Sequence, residues 1–236
     1  MKSIGKFLVV VLFLSVVTAL CGGVWGFVTL QRALHQPLQL SEPETLVVQP
    51  GSSPARVFSE LQQQGVLHDA AWLRRYWQWQ MEGAVLHVGE YQLQPEMTAA
   101  ELLHMMERGE VLQRSVTLVE GWNFRQVRAA LRAADKLEQS LDAELSDAEV
   151  MTSLGFEGEH PEGRFFPDTY QYTLGMSDQD ILRRAHERMA SVLAEVWETR
   201  ADNLPINSPY EALILASIVE RETGVPSERG QIAGVF

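Results

Sequence analysis

The sequence predicts an α+β protein carried behind a single N-terminal transmembrane helix. Three observations predict it. Residues 7–31 hold no charged side chain. A strand, a glycine turn and a helix follow one another twice, over Thr45–Leu67 and from Ser115 through Leu131. The C-terminal part then turns helical, with a long amphipathic pattern over Ser177–Thr199 and an apolar run over Ala212–Val219. The expected layout is a cytoplasmic tip and anchor over residues 1–32, a linker over 33–44, an α+β subdomain over 45–112 and an α-rich domain over 113–236.

The uncharged run from Phe7 to Gln31 would span about 37 Å as a helix, against about 30 Å of bilayer hydrocarbon. Lys2 and Lys6 precede it, which by the positive-inside rule keeps the N-terminus cytoplasmic and the rest outside. A cleaved signal peptide would have a shorter apolar core and a small-x-small site, which Ala19-Leu20-Cys21 fits poorly. A lipoprotein signal would acylate Cys21, but Leu20 is not the small residue that signal wants. Cys21 reads as a small apolar residue in lipid.

Composition excludes several functions. The chain has 31 acidic against 19 basic side chains. Without residues 1–30 it keeps 17 basic ones and a net charge of −14. Phosphate neutralisation needs clustered Lys and Arg, so no nucleic-acid partner is expected. The same balance gives the exported part nothing to gain from anionic headgroups. One cysteine excludes an intramolecular disulfide framework and a Cys-rich zinc site.

Each element has its own signal. Thr45–Gln49 reads as a strand, and Pro50–Pro54 as a turn cluster. Val57, Phe58, Leu61 and Val66 then stripe a helix that stops near Gly65. A second helix covers Asp69–Met81, with Trp72, Tyr76 and Trp79 on one face. Such aromatic stripes usually mean core, although aromatic surfaces also bind sugar rings. Gly89–Leu93 reads as a strand, and Thr98–Arg108 as a helix stopped by Gly109. Ser115–Val119 is a strand, Glu120-Gly121 a turn, and Asn123 or Phe124 opens a helix. Residues 135–163 are acidic and broken. Ser177 with Asp180 caps the long helix that follows.

The stretch richest in chemistry is Ser208–Gly224. Ser208 and Glu211 form an S-x-x-E capping pattern, with Pro209 at the first helical position. The run that follows is apolar nearly all round, which predicts a buried helix ending in Glu220-Arg221-Glu222. A buried carboxyl is held as a proton donor, the requirement for a general acid on a glycosidic oxygen. Glu220 and Glu222 lie about 200° apart on a helix, so they do not face one site. The alternative is a solvated helix end with a surface charge run.

Leu215-Ala216-Ser217-Ile218-Val219-Glu220-Arg221-Glu222-Thr223 resembles the signature of the YceG-like endolytic murein transglycosylases. Residues 117–122 (TLVEGW), 162–170 (EGRFFPDTY) and 231–236 (QIAGVF) resemble three further motifs of that family, in order. The resemblance implies a LysM-like subdomain over about 45–112, then a catalytic domain incomplete at Phe236. It implies a lytic transglycosylase that cleaves the bond between N-acetylmuramic acid and N-acetylglucosamine in peptidoglycan glycan strands, without water, and terminates nascent strands. By position in the motif the catalytic glutamate is Glu220. One carboxyl suffices, because the muramyl C6 hydroxyl serves as nucleophile. No cofactor and no metal are expected.

Around it, Ser217 either orients Glu220 or packs the helix. Glu120 either meets sugar hydroxyls or caps the next helix. Asp168 and Tyr170 either line the groove or shape a turn at Pro167. An alternative to the enzyme is a non-enzymatic envelope module that binds glycan and recruits peptidoglycan synthases or division proteins. A two-carboxylate hydrolase is a third reading.

Overall fold

The computed structural model describes residues 2–81, 83–202 and 204–236, with side chains from residue 11 onward. Lys2 and Lys6 therefore lie outside the described side chains. The chain is a mixed helix–sheet protein that divides into two compact units, residues 1–112 and 113–236.

The first unit opens with α1, Lys2–His35. Its segment Val11–His35 has mean hydropathy 2.2 and is long and apolar enough to cross a membrane. Next come β1 (Glu44–Val48), α2 (Pro54–Gln63), α3 (Ala70–Gln80), β2 (Gly89–Leu93) and α4 (Ala99–Arg108). β1 and β2 pair antiparallel, Glu44 opposite Leu93 and Val48 opposite Gly89. A two-stranded sheet is marginal alone, so helices must cover it. Phe58 and Leu61 of α2, Leu73 and Trp77 of α3, and Leu102, Leu103 and Met106 of α4 form that core with Tyr91 and Leu93. Ser53 caps α2, and Thr98 with Glu101 closes a reciprocal capping box on α4.

Two expectations change here. The stretch read as a linker is packed over residues 33–40. Ala33, Leu34 and Leu38 are buried, Leu38 N–H donates to the Met97 carbonyl (2.8 Å), and Ala99 N–H donates to that of Gln36 (3.0 Å). The apolar contacts continue from the helix as far as Leu40, and residues 41–44 are exposed. On α3 the core face is Ala70, Leu73 and Trp77. Trp72 and Tyr76 are half-buried, and Trp79 is 73% exposed.

The second unit holds β3 (Arg114–Thr117), α5 (Phe124–Ala133), α6 (Asp147–Leu154), β4 (Thr169–Tyr172), α7 (Asp178–Glu198), α8 (Pro209–Glu222) and α9 (Arg229–Ala233). β3 and β4 pair antiparallel, Arg114 opposite Tyr172 and Thr117 opposite Thr169. Phe124, Val127 and Leu131 of α5, Val150, Met151 and Leu154 of α6, and Ile181, Leu182 and Ala185 of α7 fill the core beneath them.

The similar plan read from the sequence extends further than expected. Each unit runs strand, two helices, antiparallel strand, helix. Gly51 and Gly121 make the first turn at φ of 77° and 75°, a left-handed conformation that a side chain disfavours. Ser53 and Asn123 cap the next helix. Tyr91 and Tyr170 sit buried on the second strand, and each hydroxyl donates to the carbonyl four residues back. Thr98 and Ser177, each seven residues on from that tyrosine, open the last helix with a capping box.

Candidate active site

α8 begins as predicted. Ser208 Oγ accepts from Glu211 N–H (3.2 Å), with Pro209 in the first turn. The Glu211 carboxylate accepts from Asn207 N–H (2.6 Å) instead of closing a box on Ser208. The helix ends at Thr223, one residue before the expected Gly224, and Thr223 is buried. Its hydroxyl donates to Glu228 Oε2 (2.9 Å) and accepts from Val225 N–H (3.0 Å). This clamp folds the chain back, so that α9 returns alongside α8.

The expected burial of α8 is not found. Val219 is the sole buried residue of the helix, and Ile214 is 44% exposed. An apolar run says that a helix can be buried, not that partners surround it. The other apolar residues of α8 are half-buried or exposed.

Glu220 is correspondingly open. Its side chain is 45% exposed and ion-paired with Arg229, Oε2 to Nη2 at 3.0 Å. The two charges face a cavity of about 460 Å³ lined by Ile206, Ala212, Leu215, Ala216, Val219, Gly230 and Ala233 besides themselves. Its wall is small and apolar around one carboxylate and one guanidinium. The cavity can take a ligand with both a hydrophobic face and polar edges, as a sugar ring has.

The other expected residues lie elsewhere. Glu222 is exposed and does not line the cavity. Ser217 donates to the Ile214 carbonyl of its own helix (2.7 Å), so its hydroxyl is turned to the backbone and not to Glu220. Glu120 is exposed on its turn. The capping expected of it is done by Asn123 with Gln126, and by Glu162, whose carboxylate accepts from Phe124 N–H (3.0 Å). Asp168 is exposed and accepts from Thr169 N–H (2.7 Å). Tyr170 belongs to β4 and to the core. Its hydroxyl donates to the Phe166 carbonyl (2.7 Å), and burial, with Asp168 adding its charge, pushes the phenol up to about 12. The loop expected at 162–170 thus ends in a strand.

That segment nonetheless reaches α8. The Arg164 guanidinium lies 4.2 Å over the Tyr210 ring, and Arg164 Nε stands 3.4 Å from Glu159 Oε2. A side chain at Gly163 would lie in contact with Leu213, 3.4 Å away. Arg229 itself was not singled out from the sequence. The signal available was a lone cation nine residues beyond Glu220, across a Gly-Val-Pro turn.

No group of three or more His, Cys, Asp or Glu side chains among the described residues could hold a metal ion. Fold and site together define an α+β protein behind an apolar N-terminal helix, with one carboxylate–guanidinium pair on an open cavity. The chain belongs to the YceG-like family, whose sequence profile matches residues 46–236. It is similar to the endolytic murein transglycosylases of two Streptococcus pneumoniae strains, serotype 2 strain D39 and strain R6. Each is 26% identical over 179 residues, covering 64% of this chain and 32% of the relative. The chain therefore spans about a third of the length of these curated relatives. A crystal structure of a yceG-like protein from Listeria monocytogenes is 20% identical, with a TM-score of 0.35 over 80% of this chain and 67% of that one.

Proposed function

We propose that this chain is a lytic transglycosylase of peptidoglycan, held at the cytoplasmic membrane by α1 with its N-terminus inside and both folded units outside. Its substrate is the glycan strand, cut within the strand at the bond from N-acetylmuramic acid to N-acetylglucosamine. Residues 45–112 act as a LysM-like glycan-binding subdomain, and the cut ends nascent strands beside the peptidoglycan synthases. The observation that carries this reading is Glu220 on its open cavity, in a family whose relatives bear the transglycosylase name.

The chemistry follows from one carboxyl. Glu220 gives its proton to the glycosidic oxygen as the bond from muramyl C1 breaks. The C6 hydroxyl of the same sugar attacks C1, and the carboxylate takes the hydroxyl proton. The acid is restored, no water is consumed, and a 1,6-anhydro end forms. The internal hydroxyl is already positioned, which supplies part of the rate.

Mass analysis of products from purified glycan tests the reaction class. Anhydro-muramyl ends are expected; reducing ends alone would make the protein a hydrolase, and binding without cleavage would make it a module. A second measurement addresses Arg229. A pair this exposed contributes about 0–1 kcal/mol to stability. Arg229→Gln should therefore leave thermal unfolding unchanged while lowering kcat about tenfold, through loss of the carboxylate's position. Equal losses in activity and stability would assign Arg229 a structural part only.

A further inference from the structure

The first unit is joined to α1 inside the apolar run, not beyond it. Gly26 is half-buried, and a side chain there would lie 3.7 Å from the Trp72 ring of α3. The rings of Trp25 and Trp72 meet edge to face, centroids 6.1 Å apart. Leu30 packs on the same core that buries Ala33 and Leu34. These contacts fix the depth of α3. If the hydrocarbon layer begins at Phe7, about twenty residues use up its thickness of about 30 Å, and it ends near Gly26. If it ends instead at Gln31, Trp25 lies about 9 Å inside it. Tilt spends more residues on the same thickness, which moves Trp25 inward on the first placement and leaves it still inside the layer on the second. On both placements, the ring packed on Trp25 lies at the lipid boundary or below it.

The residues around Trp72 suit that level. α3 reads AAWLRRYWQWQ and has two arginines and no acid, within an otherwise acidic chain. Arg75 is exposed, with its guanidinium 5.5 Å from the Trp72 ring centroid. A long cationic side chain lying over an indole can bury its stem and hold its charge among phosphates. Trp and Tyr are favoured at the headgroup level for the same amphipathic reason. The surface continues on α1 through Val24, Trp25 and Phe27, each more than 60% exposed.

We propose that the first turns of α3, around Ala71, Trp72 and Arg75, are seated in the headgroup layer of the bilayer that α1 crosses. The partner is the lipid surface itself, with Arg75 on a lipid phosphate. The net negative charge of the exported part argued against any such contact, but the local charge of α3 is positive. The seating rests on the anchor reading above and fixes the orientation of the first unit on the membrane.

Spin labelling tests it. In a Cys21→Ala background, single labels go on Phe13→Cys in the apolar run and on Ala71→Cys, an exposed position where the substitution is mild. The protein is reconstituted in vesicles of phosphatidylethanolamine and phosphatidylglycerol, and collisions with oxygen and with a water-soluble nickel chelate are compared. Both labels are expected to favour oxygen, with the nickel-to-oxygen ratio at Ala71 on the order of tenfold below that of free label in the buffer. A lipid reading at Phe13 with a free-label reading at Ala71 would overturn the seating and leave the anchor standing. A water reading at Phe13 would remove both.

Discussion

Glu220→Gln is expected to abolish formation of anhydro-muramyl ends, with a loss on the order of 10²–10⁴ in rate, the usual contribution of a general acid–base group. The substitution keeps the side chain's shape and removes only its ability to carry a proton between the two oxygens. Glu220 is 45% exposed and contributes no buried contact, so unfolding should stay where it is. The assay is the yield of anhydro ends by mass spectrometry on purified glycan, beside a thermal unfolding curve. Glu222→Gln is the internal control, because Glu222 points away from the cavity that Glu220 lines. Unchanged yield in Glu220→Gln would sink the assignment, and loss confined to Glu222→Gln would move the acid two residues on. Arg229 sharpens the comparison. It reaches the same carboxylate, so its replacement should reduce turnover without removing the reaction.

How much of this was legible depended on how local each signal is. Ser177 with Asp180 marked the start of its helix correctly, since a capping box is settled within four residues. The strand–turn–helix recurrence was visible because Gly51 and Gly121 sit at matched places. Its full extent needed the structure, since β4 is four residues long and follows Pro167 in a stretch that reads as loop. The tyrosine in that stretch read as either a groove or a turn residue, and in the fold it takes the place that Tyr91 has in the first unit. Burial of α8 failed for a different reason. Apolar content measures what a helix would gain from cover, whereas cover depends on elements distant in sequence. Glu220 was legible as a motif residue, but its partner Arg229 was not. The pairing depends on how Thr223 and Glu228 turn the chain between them.

Asp178→Ala is expected to destabilise the second unit by about 3 kcal/mol, for a reason the sequence did not display. Ser177 and Asp180 account for the cap of α7, which leaves Asp178 looking like a spare acid in the first turn. It is in fact 4% exposed. Oδ1 accepts from Ser140 N–H (3.0 Å), Ser140 Oγ (2.6 Å) and Gln179 N–H (2.9 Å), and Oδ2 accepts from Leu141 N–H (3.2 Å). The carboxylate thus ties the chain at 140–141 to the start of α7, where the helix dipole also favours a negative charge. The first unit has Ala99 at the corresponding place, but its bridge runs antiparallel, between Pro37 and Thr98. In the second unit the bridge of Glu138 to Ser177 is parallel, and the amides that follow it have Asp178 as their acceptor. Alanine would leave the Leu141 N–H buried without a partner and remove several charge-assisted bonds. For a unit of this size the loss corresponds to a fall of about 10 °C in unfolding temperature, read by tyrosine and tryptophan fluorescence on the full chain in detergent. Asp178→Asn keeps one acceptor oxygen and should recover about half of the loss. Equal stability of Asp178→Ala and the parent chain would show that water replaces the carboxylate at Ser140 and Leu141. The tie between that loop and α7 would then not be what holds the second strand pair over its core.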